Sequence, residues 1–450
     1  MINRLYLYLP YFLQDIIISI YGFFNDRRRY GKHYLNIEKE KRNAMLCAPN
    51  DIKEMQDKRL SEALNNAKQS AYWSRVFDDY NVHTESPCPR QELAKLPIMS
   101  KSDARKNADD IKIYLPKAIS INTSGTTGAG LVFCETLESE AERWAVWWRY
   151  RNAVGIDKQQ WCALFGGRTI INTNYTGKRF HRINYFSKQV LFSCYHLSPN
   201  TVANYINELN SREIKWLHGY PSVISELASL AQRKGLKLNY KVDYITLGAE
   251  SVNANQLRAI EKFFSVKPTQ HYGLAESVAN FSQSNPHNSD LIVDEDFSFV
   301  EFIPNNNSVD VFRVIGSNFS NPAFPLFRYD TGDLATGVNE SVFPRKLKSV
   351  DGRKEDFVTL PDGRRIGRLD HIFKDATFVD EAQLIQLEDL SLEVKLVINE
   401  EWSEKEHLGE LQEAFRLRLG NEIKIQFKKV DVIKRTKSGK FRFVISKVTV

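Results

Sequence analysis

Ser120-Ile-Asn-Thr-Ser-Gly-Thr-Thr-Gly-Ala-Gly130 overlaps the end of a short apolar run that begins at Ala118, and it packs five hydroxyls and three glycines into one loop. Glycine lets a backbone come close to a ligand, while free amides and hydroxyls can surround phosphate oxygens. The loop therefore reads as a polyphosphate cradle. No Gly-Lys-Ser/Thr closes it, which excludes the P-loop of nucleoside triphosphatases. Working outward, short β-branched and aromatic runs at 161–165, 216–218 and 244–247 alternate with amphipathic helical patterns at 138–151, 199–209, 222–234 and 254–264. Such alternation predicts a largely parallel α/β sheet.

Upstream, 36–107 is helical and polar, with Leu60, Leu64 and Ala67 at helical spacing; Ser100 or Ser102 is expected to cap the next helix. A further strand is expected over 266–270, and past 290 the texture changes to strands at 297–303 and 309–314 around a polar turn at 305–307, which predicts antiparallel pairing. From 350 onward, turns at Asp351-Gly352 and Asp362-Gly363 precede strand 393–398, helix 403–419 and strand 423–430. The fold class expected is α/β, multidomain α+β overall. A large N-terminal domain over 1–352 holds mixed and parallel sheets plus a β-rich subdomain, and a small α+β domain occupies 353–450.

A chain of 450 residues exceeds what one core supports, and 42% hydrophobic with 26% charged residues excludes disordered and collagen-like classes. The net charge of +7 is too dilute to imply nucleic-acid binding and suits an anionic small substrate. Five cysteines without C-x-x-C or zinc spacing predict a reducing, cytoplasmic setting. The apolar 5–24 stretch is interrupted by Pro10, Gln14 and Asp15 and is followed, not preceded, by Arg27-Arg28-Arg29, unlike a membrane span or signal peptide. It predicts an amphipathic helix packed on the body of the protein, with peripheral contact to an anionic membrane as the alternative.

Five segments stand in a fixed order: Thr123-Ser-Gly-Thr-Thr-Gly128, His271-Tyr-Gly-Leu-Ala-Glu276, Tyr329-Asp-Thr-Gly-Asp333, Gly352-Arg-Lys-Glu-Asp356 and Arg435-Thr-Lys-Ser-Gly-Lys440. Together they resemble the successive core motifs of adenylate-forming enzymes, the superfamily of acyl-CoA synthetases, luciferases and peptide-synthetase adenylation domains. Leu217-His-Gly-Tyr-Pro-Ser222, Pro325-Leu-Phe-Arg-Tyr329, Gly367-Arg-Leu-Asp-His-Ile-Phe373, Glu381-Ala-Gln383 and Ser438-Gly-Lys-Phe-Arg-Phe443 are similar to the phenylacetate–CoA ligase-like branch and its capsular-polysaccharide CapK-like group.

The resemblance implies a large adenylate-forming (AMP-binding) domain, a mobile C-terminal lid, and ATP and Mg²⁺ as cofactors. It also implies a carboxylic acid as substrate and a thiol (CoA) or an amine as acceptor. Thr123, Ser124, Thr126 and Thr127 would bind the β- and γ-phosphates, with Gly125 and Gly128 permitting the turn; the family's lysine after the loop is replaced here by Ala129-Gly130-Leu131. Glu276 would hold Mg²⁺, Tyr272 would flank the adenine with Gly248, Ala249 and Glu250, and His271 and Gly273 fall beside them. Asp333 would accept from both ribose hydroxyls, and Arg353 would contact ribose or phosphate. Glu355 falls at the hinge, usually Asp in the family, and Lys440 would be the lysine delivered by lid closure. His218, Gly219 and Tyr220 would line the acyl pocket, whereas Trp144, Trp147, Trp148 and Tyr150 are expected to be core. The reading is a carboxylate ligase of surface-polysaccharide synthesis. The alternatives are an aryl- or short-chain acyl-CoA ligase and a non-catalytic nucleotide-binding scaffold.

Overall fold

The computed structural model describes residues 4–44, 47–122, 131–172, 174–285, 288–305, 310–353, 357–361, 365–367, 369–373, 376, 378–434 and 441–448. The predicted positions Thr123, Ser124, Gly125, Thr126, Thr127, Gly128, Glu355 and Lys440 lie outside the described residues. The chain forms two compact units, one of residues 1–19, 160–268 and 352–450 and the other of 20–159 and 269–351.

In the first unit, Tyr244–Gly248, Trp216–Gly219, Cys162–Gly166 and Gln189–Ser193 are neighbouring parallel strands, with His181–Asn184 antiparallel at the edge. The predicted α/β alternation is thus present. Helix Pro221–Arg233 follows its strand at once, with Pro221 at the first position, where no backbone donor is needed. Asn253 and Gln256 form a capping box that starts helix Ala254–Phe264. The 199–209 helix begins later than its pattern suggests, at Val202–Arg212. Ile224, Leu227, Ala228 and Ile260 pack with Phe165 and Leu217 into one core.

Within the same unit, Val379–Gln386 and Leu392–Ile398 pair antiparallel, and Val444–Ser446 and Ile425–Lys429 add parallel strands on either side. Helix Glu404–Leu419 is the crossover, and Leu411, Phe415 and Leu419 bury against Val394 and Leu396. This is the small α+β segment expected at the C-terminus. The N-terminal helix, Tyr11–Arg29, packs on the body of this unit: Gln14, Asp15, Ile18 and Ser19 are on its buried side, Ile18 in a small cluster with Tyr6, Ile170, Ile171 and Leu191, while Phe12, Ile16 and Ile17 face water.

The second unit is built around helix Leu137–Ala153, started by Thr136, whose hydroxyl accepts from the Ser139 amide at 3.1 Å. This helix is buried nearly all round, so its charges are paired. Arg149 lies 2.7 Å from Asp294 and 2.8 Å from Asp296, and Glu142 lies 2.6 Å from Lys41 and from Arg59. Thr269–Gly273, Asn280–Ser282, Leu291–Val293 and Lys346–Leu347 form an antiparallel run, and Ser298–Pro304, Val311–Asn318 and Tyr329–Thr336 a meander. The 266–270 strand is displaced to 269–273 because Pro268 has no amide to give a ladder. Ser100, not Ser102, caps helix Lys101–Lys106.

Candidate functional site

In the second unit, strands Ile119–Asn122 and Val132–Glu135 form a hairpin that sets Asn122 opposite Val132. The hydroxyl-rich segment connects those two strands. Arg143, on the 137–153 helix, gives one guanidinium nitrogen to Glu135 at 2.7 Å and another to the carbonyl of Ala275 at 3.1 Å. One side chain thereby ties the hairpin to the residue before Glu276. Burial lifts Glu135 to about 7, with Arg143 opposing it.

Strand Thr269–Gly273 delivers three of the predicted residues. The Tyr272 hydroxyl donates to Asp333 Oδ2 at 2.7 Å, while its ring stacks on Phe281 at 5.0 Å. Two motifs distant in sequence meet in that bond. Burial first, and then the Asp333 charge, hold the phenol well above its ordinary value, so Tyr272 is a neutral donor. Asp330 of the same turn is paired with Arg313 at 2.6 Å, which separates a structural aspartate from Asp333. Arg328 is structural as well, 3.0 Å from Glu301 and bonded to the carbonyls of Ala94 and Leu96.

His271 Nε2 meets Asn280 Oδ1 at 2.9 Å, and the same oxygen accepts from Trp147 Nε1 at 3.0 Å. The imidazole stacks on Tyr150 at 5.6 Å, and burial, aided by Arg151, lowers it to about 3. It is a neutral wall rather than an acid or base near pH 7. A Cβ on Gly273 would stand 2.6 Å from Asn280 Oδ1 and 3.0 Å from His271 Cε1, so only glycine fits beside this network. Trp147, read from sequence as core, is part of it.

Glu276 is 4% exposed; among the described residues its carboxylate lies 3.5 Å from the Tyr329 hydroxyl and 4.0 Å from Lys101 Nζ. Both contacts are long ones for a buried carboxylate, and its own neighbour Ser277 has φ +57, sparsely populated for a side chain-bearing residue. Such a group suits a hard cation that takes its remaining ligands from phosphate oxygens. Among the described residues no cluster of three or more acidic, histidine or cysteine side chains could hold a metal alone. A single carboxylate fits magnesium shared with a substrate.

In the first unit, His218 Nδ1 lies 2.9 Å from Thr246 Oγ1, and Tyr220 donates its amide to the Phe165 carbonyl at 3.0 Å. Burial pushes the Tyr220 phenol up to about 12. Gly219 packs so closely that a Cβ would collide with the Phe165 carbonyl. Ala249 follows its strand at φ +67. Glu250 accepts from the amide of Ser222 at 3.3 Å, at the start of helix Pro221–Arg233, and from the amide of Phe441 at 2.6 Å. Its carboxylate is therefore engaged by protein. Arg353 ends strand Ser349–Arg353. Arg143, Lys101, Asn280 and Trp147 were not legible in the sequence, since the pairs Arg143–Ala275, Lys101–Glu276 and Trp147–Asn280 join remote positions.

Solved structures show the fold. A 2-hydroxyisobutyryl-CoA ligase in the postadenylation state, in complex with R3-HIB-AMP, matches at TM-score 0.66 with 15% identity, covering 87% of this chain and 89% of that one. The GH3.15 acyl acid amido synthetase matches at TM-score 0.56 with 14% identity, covering 84% and 86%. The fold is that of the adenylate-forming ligases. More particularly, residues 358–447 match the family described as the CapK C-terminal domain. The whole chain is similar to Protein CapK of Staphylococcus aureus, 26% identical over 459 residues with 100% of both chains covered.

Proposed function

We propose that the chain is an ATP-dependent, AMP-forming carboxylate ligase. The observation that supports it most is the Tyr272–Asp333 hydrogen bond of 2.7 Å, on the strand that leads to the buried Glu276. In the reaction a carboxylate oxygen bonds to the α-phosphorus, the bond to the bridging oxygen breaks, and pyrophosphate leaves. A thiol or amine then attacks the acyl carbon and AMP departs. Carboxylate and triphosphate repel, so donors and positive charge must surround the transferring group.

Thr123, Ser124, Thr126 and Thr127 would hold phosphate oxygens, with Gly125 and Gly128 at the turn. Asp333 would hold the ribose, and Tyr272 and the Gly248-Ala249-Glu250 turn the adenine. A magnesium ion on Glu276 would supply charge to the phosphates, and Lys101 stands close enough to that carboxylate to add to it. Lys440, with Arg353, would meet the α-phosphate and carboxylate. The 353–450 segment is read as the lid and Glu355 as its hinge; the Phe441 amide donates to Glu250 at 2.6 Å. His218, Gly219 and Tyr220 remain the acyl-pocket reading. A cytoplasmic place in surface-polysaccharide synthesis, with an amine acceptor, follows the CapK likeness; the CoA ligase matched by fold favours a thiol.

Carboxylate-dependent exchange of pyrophosphate into ATP, screened over sugar acids, amino acids and aryl acids, tests the proposal. Exchange with one acid class is expected, falling by about 1000-fold in Lys440→Ala with ATP binding retained. ATP binding without exchange for any acid would favour the scaffold. CoA thioester or amide as the final product separates the two acceptors.

A further inference from the structure

The N-terminal helix, Tyr11–Arg29, is inside out. Its exposed residues are Tyr11, Phe12, Ile16, Ile17, Ile20, Tyr21, Phe24 and Arg27, whereas Gln14, Asp15, Ile18, Ser19, Gly22 and Asn25 are buried. In a helix that merely packs on a globular body, the apolar stripe faces the core. Here the anchoring side is mostly polar, with Ile18 its one large apolar member. Asp15 accepts from the Ile183 amide at 2.9 Å and from Arg179 at 2.6 Å, and Gln14 is bonded to Arg182. Ser19 accepts from the Tyr185 amide at 3.1 Å. These bonds hold the helix along strand His181–Asn184 and fix which face looks outward. Rolling it over would bury the isoleucines but strand a carboxylate and a guanidinium, so the exposed orientation is enforced.

The exposed side continues beyond the helix. Leu5 is 72% exposed and Tyr8 77%, and Tyr185 and Phe186, directly after the anchoring strand, are each 58% exposed. Aromatic rings with one polar end suit the boundary between lipid headgroups and acyl chains. Arg27 is the one charged residue in the exposed class on the helix, where neither Asp15 nor Asp26 is exposed, and Lys178 is exposed near the Arg179 anchor. An apolar face with Arg27 and Lys178 exposed beside it, on a chain of net charge +7, matches a negatively charged lipid surface. No helix among the described residues is long and apolar enough to cross a membrane, so contact would be from one side.

We propose that this helix lies in the plane of an anionic phospholipid bilayer, with Phe12, Ile16, Ile20 and Phe24 in the interface, and holds the enzyme at the membrane surface. The test is co-sedimentation of the full chain with vesicles of equal phosphatidylglycerol and phosphatidylcholine, and with phosphatidylcholine alone. The wild-type protein should bind the mixed vesicles, more weakly as salt rises. Ile16→Ser/Ile20→Ser/Phe24→Ser, with unchanged circular dichroism, should reduce partitioning by at least about 10-fold. Arg27→Glu should reduce it by about 10-fold on mixed vesicles only, and as a single exposed change it reads out even where the triple variant misfolds. Absence of binding, or binding that both variants retain, overturns the proposal. Self-association in sedimentation velocity that the triple variant abolishes, without vesicle binding, overturns it in favour of a face between two copies.

Discussion

Two strand ends carry the same residue types in different order: His218-Gly219-Tyr220 in one unit and His271-Tyr272-Gly273 in the other. The first lies on a strand with parallel neighbours on both sides, and its restraints are largely backbone: the Tyr220 amide on the Phe165 carbonyl and Gly219 against that same carbonyl. The second has an antiparallel neighbour, Asn280–Ser282, and is held by side chains: Asn280 between His271 and Trp147, and Asp333 on Tyr272. A backbone-held end is rigid whatever side chains it bears. One held by side chains can have its chemistry tuned residue by residue, which suits the unit that carries Glu276.

That contrast can be broken most directly with alanine at the two glycines. Gly219→Ala meets a carbonyl that cannot move without distorting the sheet and should destabilise the protein by about 3 kcal/mol in denaturant unfolding. Gly273→Ala meets the end of the Asn280 side chain and should cost about half as much, though with loss of pyrophosphate exchange; the reverse order of stabilities would undo the comparison. Next in size, Asp333→Ala should weaken ATP binding by about 100-fold in calorimetry, since it removes a charged acceptor for the ribose. Unchanged affinity would mean that Asp333 serves only Tyr272.

The pH dependence of unfolding sharpens the same point. His271 is held at about 3, below its ordinary value, so as pH falls the unfolded chain takes up a proton first. Stability is therefore full above about 6.5 and declines toward about 3 by up to about 1.4 kcal/mol per pH unit for this residue. His271→Gln should remove one proton from that slope, while His181, lowered by burial in the same direction, keeps its own share. An unaltered slope would show that His271 is not sealed. The smallest effect belongs to Tyr272→Phe, which removes a donor but keeps the ring on Phe281; about a 5-fold loss of exchange is expected.

Much of this was legible in the sequence, because local rules govern it. The alternation over 160–268 needed only periodicity, Pro221 and Asn253 mark helix starts, and the 393–398, 403–419 and 423–430 elements recur close to their patterns. The motifs also named Tyr272, Glu276 and Asp333. What the residues could not disclose is partnership across the chain: Arg143 reaches a carbonyl 132 positions away, and the anchors of the N-terminal helix lie 164 and 168 positions from it. Periodicity shows that a helix has two faces, but which one turns inward depends on those remote guanidinium groups. Strand 269–273 was misplaced for a local reason, its polar His271 and Tyr272 giving a weaker signal than Val266.

Arg143 carries a thermodynamic obligation. One guanidinium joins Glu135 to the carbonyl beside Glu276, so a displacement at one end has a direct physical route to the other. Linked equilibria are reciprocal. On the proposed function, by whatever factor a nucleotide altered the grip of Glu276 on a cation, the cation would alter the hold on the nucleotide by the same factor.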